Sequence, residues 1–365
     1  MPSEQLKHSS TYIIAEAGVN HNGSLEMARD LIEVASEAGA DAVKFQTFQV
    51  EKLVSEETSK ADYQQNTTDG EESQADMLRA LELSPEHHHA IAKHCDEQDI
   101  QFLSTPFDAQ SARFLAEEFD VPRIKIGSGE LTNGPLLLSI ARLGRPVILS
   151  TGMGMLGEVE QALSVLAYGY AHDGNQPEPQ DLQRVFASEQ GQNALSENVT
   201  VLHCTTEYPA PVASVNLQAI DTLRQAFDLP VGLSDHTEGI AVPIAAAARC
   251  ATVIEKHFTL DRALPGPDHE ASLEPDELRD MIQGIRDVER ALGNSVKAPA
   301  DPEWKNRSVA RKSIVAIQAI EKGETFTEEN LGFKRPGDGL SPMRYWSILG
   351  SEAKKNYHSE DQIIE

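Results

Sequence analysis

Cysteine is scarce in this 365-residue chain. The three present, Cys95, Cys204 and Cys250, are widely spaced and form no CxxC pair. That spacing gives no disulfide framework and reads as buried thiols in a reduced compartment. Long apolar runs are also missing: none approaches the roughly 18 residues that a membrane span needs. The opening "MPSEQLKHSS" lacks the apolar core of a secretion signal. Basic charge is short, with 31 Lys and Arg against 58 Asp and Glu, a net charge of -27. A surface this negative argues against a phosphate-backbone binder. The expectation is a cytoplasmic protein with no nucleic-acid or membrane partner. An anionic substrate would have to be caught by local lysines or backbone donors.

What is present is an alternation of short apolar strands and longer amphipathic segments. Eight strand candidates are "YIIAEAG" from Tyr12, "AVKFQT" from Ala42, "QFLSTPFD" from Gln101, "RIKIGSGE" from Arg123, "PVILSTGM" from Pro146, "VTVLHCTTEYP" from Val199, "PVGLSDHT" from Pro230 and "TVIEKHF" from Thr252. Their short apolar runs suit parallel strands covered on both faces. Helical spacing follows over 25–38, closed by Gly39, and over 109–118, capped by Asp108. Helices are also expected after Ser84-Pro85, over 240–250 and over 275–292. Eight such units over residues 1–296 predict an α/β chain with a TIM (β/α)8 barrel.

Two polar insertions break the rhythm. Residues 52–76 read as a long loop over one barrel face, and 170–198, with Pro177 and Pro179, as a partly mobile excursion. Residues 297–306, with Pro299 and Pro302, read as a linker. Residues 307–365 lose the barrel periodicity and read as a second, compact domain of short β pieces and glycine turns.

The strand ends carry the chemistry. Polar residues follow every strand: Glu16, Asn20 and His21; Lys44 and Gln46; Ser104, Thr105 and Asp108; Lys125, Ser128 and Glu130; Ser150 and Thr151; His203, Thr205, Thr206, Glu207 and Tyr208; Ser234, Asp235 and His236; Glu255, Lys256 and His257. Active sites of TIM barrels lie at that rim, and buried charges must be paired or used. Lys44 and Lys125, beside small hydroxyls and glycines, suit a phosphate or carboxylate. His236 and His257 end neighbouring strands. With a carboxylate nearby they fit either a divalent metal site or an acid/base pair, and no compact motif such as HExxH decides between them. His87, His88, His89 and His94, on a helix flank, read as surface or packing residues. In "VIEKHF" a strand's alternation sends Lys256 away from the mouth if His257 points into it.

The pieces "AEAGVNHNG", "AVKFQTF", "FLSTPFD", "IKIGSGE", "ILSTGM", "HCTTEYP", "GLSDHT", "EKHFTLD" and "PGPDH" occur in order along the chain. They resemble the sialic acid synthase family, which condenses phosphoenolpyruvate with an N-acylated hexosamine. "ARKSIVA" and "KGETFTEENL" resemble that family's small antifreeze-like (SAF, β-clip) domain. The resemblance implies that His236 and His257 bind a divalent metal, usually manganese, with magnesium or cobalt as alternatives. It implies that Glu16 lies near the reacting carbons. Phosphoenolpyruvate falls to Lys44, Thr105, Lys125, Ser128, Ser150, Thr206 and Ser234; Thr206 stands where some members have Asn. The sugar side falls to Asn66, Glu130, Tyr208, Asp268 and Arg311. Arg311 would reach the partner subunit's site in a domain-swapped homodimer.

Three acceptors are compatible with the residues. N-acetylmannosamine ranks first, because no extra basic pair serves a 6-phosphate. A 2,4-diacetamido-2,4,6-trideoxymannose, giving legionaminic acid, ranks close behind, ahead of N-acetylmannosamine 6-phosphate. A Schiff-base aldolase using Lys44 or Lys125 and a sugar-binding protein without activity are the competing classes.

Overall fold

The computed structural model describes residues 10–55, 58, 60, 73–172 and 176–364. The chain divides into two compact units, Met1–Gly293 and Asn294–Glu365. In the first, eight parallel strands form one barrel-like sheet. They are β1 (Tyr12–Gly18), β2 (Ala42–Thr47), β3 (Gln101–Pro106), β4 (Ile124–Ile126), β5 (Val147–Ser150), β6 (Val199–Cys204), β7 (Val231–Asp235) and β8 (Val253–His257). Their order is β3-β2-β1-β8-β7-β6-β5-β4, with β3 and β4 packed alongside each other. This is the TIM architecture expected from the alternation.

Each strand sends alternate residues to opposite faces. The outward set, including Ile13, Ala15, Val43, Phe45, Ile124, Ile126, Val147, Leu149, Val201, Val231, Leu233 and Ile254, joins the helices in one large apolar layer. The inward set forms a separate small plug of Ile14, Ala42, Leu103, Ile148, Leu202 and Val253. Two residues further along these strands, the same inward faces carry Glu16, Lys44, Thr105, Ser150 and Glu255, with Cys204 after Leu202, and β7 adds Ser234. The barrel is therefore oily at its base and charged at its mouth.

Local chemistry sets the helix ends. Ser24 accepts a hydrogen bond from Met27 N at 3.2 Å, and Gly39 closes helix Leu25–Ala38 in the left-handed region at φ 85. Ser84 caps helix Pro85–Glu97, and Asp108 caps helix Ala109–Glu118 through Gln110 N and Ser111 N. Among the described residues, no helix is long and apolar enough to cross a membrane.

Three segments carry helix that the sequence reading did not assign. The stretch 170–198, expected as a partly mobile excursion, carries helices Pro179–Phe186 and Glu189–Asn198. The first packs Val185 on the core with Leu182 and Phe186 half-buried beside it, and the second buries Leu195, within stretches that are otherwise polar. Pro179 opens its helix, where a missing N–H costs nothing, and Ser188 caps the next through Gly191 N. The stretch 52–76, expected as a loop, is bounded by helices Val50–Leu53 and Gln74–Leu81. Residues 297–306, read as a linker, carry most of helix Asp301–Ala310. Pro302 lies in its first turn, and the Glu303 carboxylate accepts from Ala300 N at 2.7 Å.

The second unit has an antiparallel pair, β9 (Ser313–Ala316) with β10 (Leu331–Lys334). Single bridges join Val315 to Gln362, Ile320 to Tyr357 and Thr325 to Glu352. Its core is Ile314, Ala316, Ile320, Phe326, Leu331, Ala353, Tyr357 and Ile363.

Candidate active site

Strand register assembles the site. Parallel pairing sets Glu16 beside Lys44 on β2 and beside His257 on β8, while Ser234 on β7 pairs with Glu255. The β1–β2 register slips between Glu16 and Gly18, and Gly18 takes φ 55. A Cβ there would meet His257 Cε1 at 3.2 Å and Glu16 Oε1 at 3.3 Å. A side chain at this position would stand between the acid and the imidazole, so only glycine serves.

Two lysines and two carboxylates fill the mouth, all nearly inaccessible to water. Lys44 Nζ lies 2.6 Å from Glu16 Oε2, 3.7 Å from Glu255 Oε2, and donates to Thr105 Oγ1 at 2.9 Å. Lys125 Nζ lies 3.4 Å from Glu255 Oε1 and donates to Ser150 Oγ at 2.8 Å. Ser234 Oγ donates to Glu255 Oε1 at 3.0 Å. Glu255 thus bridges both ammoniums. Burial raises its pKa, but Lys125, Lys44 and the Ser234 bond overcome that and hold it well below the carboxylate range. Burial raises Glu16 to about 7 against the pull of Lys44, with Glu255 pushing the same way as burial. One carboxyl is a fixed anion and the other is poised to exchange a proton near neutrality.

Beside Lys125 is a small oxygen-lined cradle. Gly152 N donates to Ser128 Oγ at 3.0 Å. Thr206 Oγ1 is buried without a hydrogen-bond partner. A Cβ on Gly152 would collide with both hydroxyls. An unpaired buried hydroxyl is costly, and a bound anionic oxygen would satisfy it.

The imidazoles stand on the next strand ends. The His236 and His257 ring centroids are 5.6 Å apart, and the Tyr208 ring lies 4.1 Å from His236 at 31°. His236 Nδ1–H donates to Thr205 O at 2.7 Å, which turns Nε2 outward as a lone-pair donor. Cys204 Sγ is 3.9 Å from the same Nδ1. His257 Nδ1 is buried with no hydrogen-bond partner and lies 4.0 Å from Asp268 Oδ2. Burial, then the charges of His236 and Lys44, hold His257 well below the usual imidazole value, so it is neutral. Burial raises Asp268 to about 6. Among the described residues, no group of three His, Cys, Asp or Glu forms a ready metal cage. The donor set nevertheless fits a divalent ion: two imidazoles, His236 held at Nδ1 by a carbonyl and His257 neutral and orphaned, with a carboxylate alongside.

The chain matches the NeuB family over residues 31–297 and the SAF domain over residues 311–363. It belongs to the NeuB family. Similar relatives include the N,N'-diacetyllegionaminic acid synthase of Campylobacter jejuni, 48% identical over 97% of this chain and 98% of that protein. The protein of the same name from Legionella pneumophila is 44% identical over 97% of this chain and 93% of its own. Among solved structures, the N-acetylneuraminic acid synthetase of Leptospira borgpetersenii, a citrate complex, superposes with a TM-score of 0.67 at 31% identity. It covers 82% of this chain and 90% of its own. Synthases of the NeuB family are metal-dependent in general.

Within this NeuB-family barrel, the structure brings together Glu16, Lys44, Thr105, Lys125, Ser128, Ser150, Thr206, Tyr208, Ser234, His236, His257 and Asp268. Glu130 sits in the turn after β4, where its carboxylate accepts from Asn133 Nδ2 at 2.6 Å. Asn66 lies outside the described residues. Arg311 is an exposed residue of the second unit, at the end of helix Asp301–Ala310.

The idea that every strand-end polar group enters the mouth needs correction. Ser104 bonds Thr47 at 2.6 Å, and Thr47 bonds His88 at 2.9 Å, all on the helix side. His203 is turned to Val215 O, and Asp235 and Lys256 pair behind the sheet. Alternation divides each strand's polar residues between two faces. One site residue lacked a firm role from sequence: Glu255, which the period-2 rule alone would have placed inward, while Cys204, which lies against His236, carries no signal of its own.

Proposed function

We propose that this chain condenses phosphoenolpyruvate with 2,4-diacetamido-2,4,6-trideoxymannose and water, giving N,N'-diacetyllegionaminic acid and phosphate. The observation that carries this reading is near full-length similarity to two synthases of that name, in a chain whose strand ends gather two ammoniums, two carboxylates and two imidazoles. N-acetylmannosamine, which the residues alone put first, stays as the second acceptor because the 31% identical solved structure is named a sialic acid synthetase.

Lys44 and Lys125 neutralise the phosphate and carboxylate of phosphoenolpyruvate, with Thr105, Ser128, Ser150, Thr206 and Ser234 supplying hydroxyls. Glu255 keeps both lysines charged and fixed before the substrate arrives. C3 of phosphoenolpyruvate attacks the acceptor aldehyde, water adds at C2, and phosphate leaves with C–O cleavage. Glu16, able to gain or lose a proton near neutral pH, moves the proton at the reacting carbons or steers the water. His236 and His257 would hold a divalent ion, manganese by preference over magnesium or cobalt, which when bound would supply Lewis-acid polarisation of the aldehyde. Tyr208 packs the His236 face. Tyr208, Asp268 and Glu130 serve the sugar side, and the resemblance assigns Asn66 to the same substrate. Arg311 of the partner subunit contacts the acylamino group in a domain-swapped homodimer, working in the cytoplasm.

The test is phosphate release from phosphoenolpyruvate with manganese, run in parallel on the diacetamido sugar, N-acetylmannosamine and its 6-phosphate, with and without EDTA. The expected result is release with the diacetamido sugar, abolished by EDTA. Release unaffected by chelation would overturn the metal's part. Borohydride trapping of a lysine adduct would replace the mechanism with a Schiff-base one.

A further inference from the structure

We infer that Lys256, which no proposed chemistry uses, is a positioning residue whose ion pair with Asp235 sets the separation of His236 and His257. The inference rests on the reading of those two histidines as metal ligands. Lys256 lies on the outward face of β8, where strand residues otherwise enter the apolar layer, and its side chain is 0% exposed. Its Nζ is 2.6 Å from Asp235 Oδ2, which is itself 1% exposed, and it also donates to Thr237 O. Asp235 in turn accepts from Thr237 N at 3.2 Å and from Thr237 Oγ1 at 3.0 Å. Asp235 and Thr237 flank His236 in sequence. One ammonium therefore holds the Asp235 carboxylate before His236 and the Thr237 carbonyl after it, and Lys256 is the chain neighbour of His257.

Stability alone gives a poor account of this pair. Replacing a buried ion pair by apolar groups is often neutral or stabilising, whereas such pairs have an attested use in fixing geometry. Here the geometry is the relation between two ligand-bearing strand ends. The β7–β8 ladder pairs Asp235 with Lys256 and extends no further. Beyond it, His236 is fixed by Thr205 O through its ring and by Ala210 N, which donates to its carbonyl at 2.8 Å. Neither contact ties it to β8. The Lys256 ammonium does, and outer partners of this kind typically govern metal affinity by about 10–100-fold.

The experiment is a manganese titration of the full chain without substrates, following free manganese by electron paramagnetic resonance, on the parent, Lys256→Met and Asp235→Asn. Melting in EDTA is recorded on each. Asp235→Asn keeps the shape and the acceptor for Thr237 N, so it carries the test if Lys256→Met fails to fold. Both variants are expected to bind manganese at least about tenfold more weakly, with the KM for phosphoenolpyruvate close to the parent's at saturating metal. A folded variant that melts lower but binds manganese like the parent would leave the pair a purely structural device and overturn the inference, with the metal reading intact. A parent that binds no manganese would remove the metal reading and the inference with it.

Discussion

Replacing Glu255 by Gln tests the charge balance of the barrel mouth directly. Glutamine keeps the side chain's shape and can still accept from Ser234. It removes an anion 3.4 Å from Lys125 and 3.7 Å from Lys44. At an effective dielectric of about 20, each of those attractions is worth about 4–5 kcal/mol before desolvation is counted. Breaking a buried pair by deleting one partner costs about 3–5 kcal/mol net. Glu16 offsets part of this, because the lost anion had been pushing its pKa up and it now ionises more fully. A loss of about 3 kcal/mol corresponds to a melting temperature lower by roughly 6 °C for a unit of this size. Two ammoniums then face one carboxylate, so an anionic ligand restores balance. Phosphoenolpyruvate should therefore raise the variant's melting temperature by more than it raises the parent's. The assay is thermal unfolding by circular dichroism, metal-free, with and without phosphoenolpyruvate. Unchanged melting, or a ligand-induced rise no larger than the parent's, would refute the assignment of Glu255 as the shared counter-ion.

Two further outcomes follow from the structure. In Gly152→Ala, the new Cβ drives apart the Ser128 and Thr206 hydroxyls. Overpacking of about 1–3 kcal/mol should lower melting by a few degrees while the KM for phosphoenolpyruvate rises roughly tenfold or more, and an unchanged KM would show that the cradle holds no substrate anion. His21 is buried, and burial, followed by His88 and His87, holds its imidazole down to about 4. The folded state therefore keeps it neutral while the unfolded chain protonates below about 6.5, so stability falls as pH drops from there toward 4. The loss at pH 5 is about 2 kcal/mol. His21→Asn should shrink the drop in melting temperature between pH 7 and pH 5 by roughly 4 °C, and parallel slopes in the two proteins would count against the buried neutral imidazole.

Much of the fold follows from local chemistry. Eight short apolar runs, Gly39 after a helical stripe, Ser84 before Pro85 and Asp108 before Ala109 define elements by nearest-neighbour rules, and β1 and helix Leu25–Ala38 begin and end where those rules put them. The lysines and histidines at the strand ends were legible for the same reason: a charged residue finishing a core strand has few structural uses. Helix Glu189–Asn198 was not legible, because a single apolar anchor, Leu195, leaves no periodic stripe to read, and the short stripe Leu182, Val185 and Phe186 of helix Pro179–Phe186 is lost in a polar stretch with two prolines. Only tertiary structure decided which charges meet. Lys44 and Glu255 are far apart in sequence, and their pairing depends on barrel closure through β1 and β8 and on the register of each ladder. The same applies to "VIEKH": period-2 alternation separates Glu255 and His257 from Lys256. It took barrel closure to give Glu255 two lysines in the mouth, from β2 and β4, and the packing of β7 against β8 to give Lys256 an aspartate behind the sheet. Sequence sets which side of a strand a residue occupies, and the partners waiting there come from strands that sequence leaves unordered.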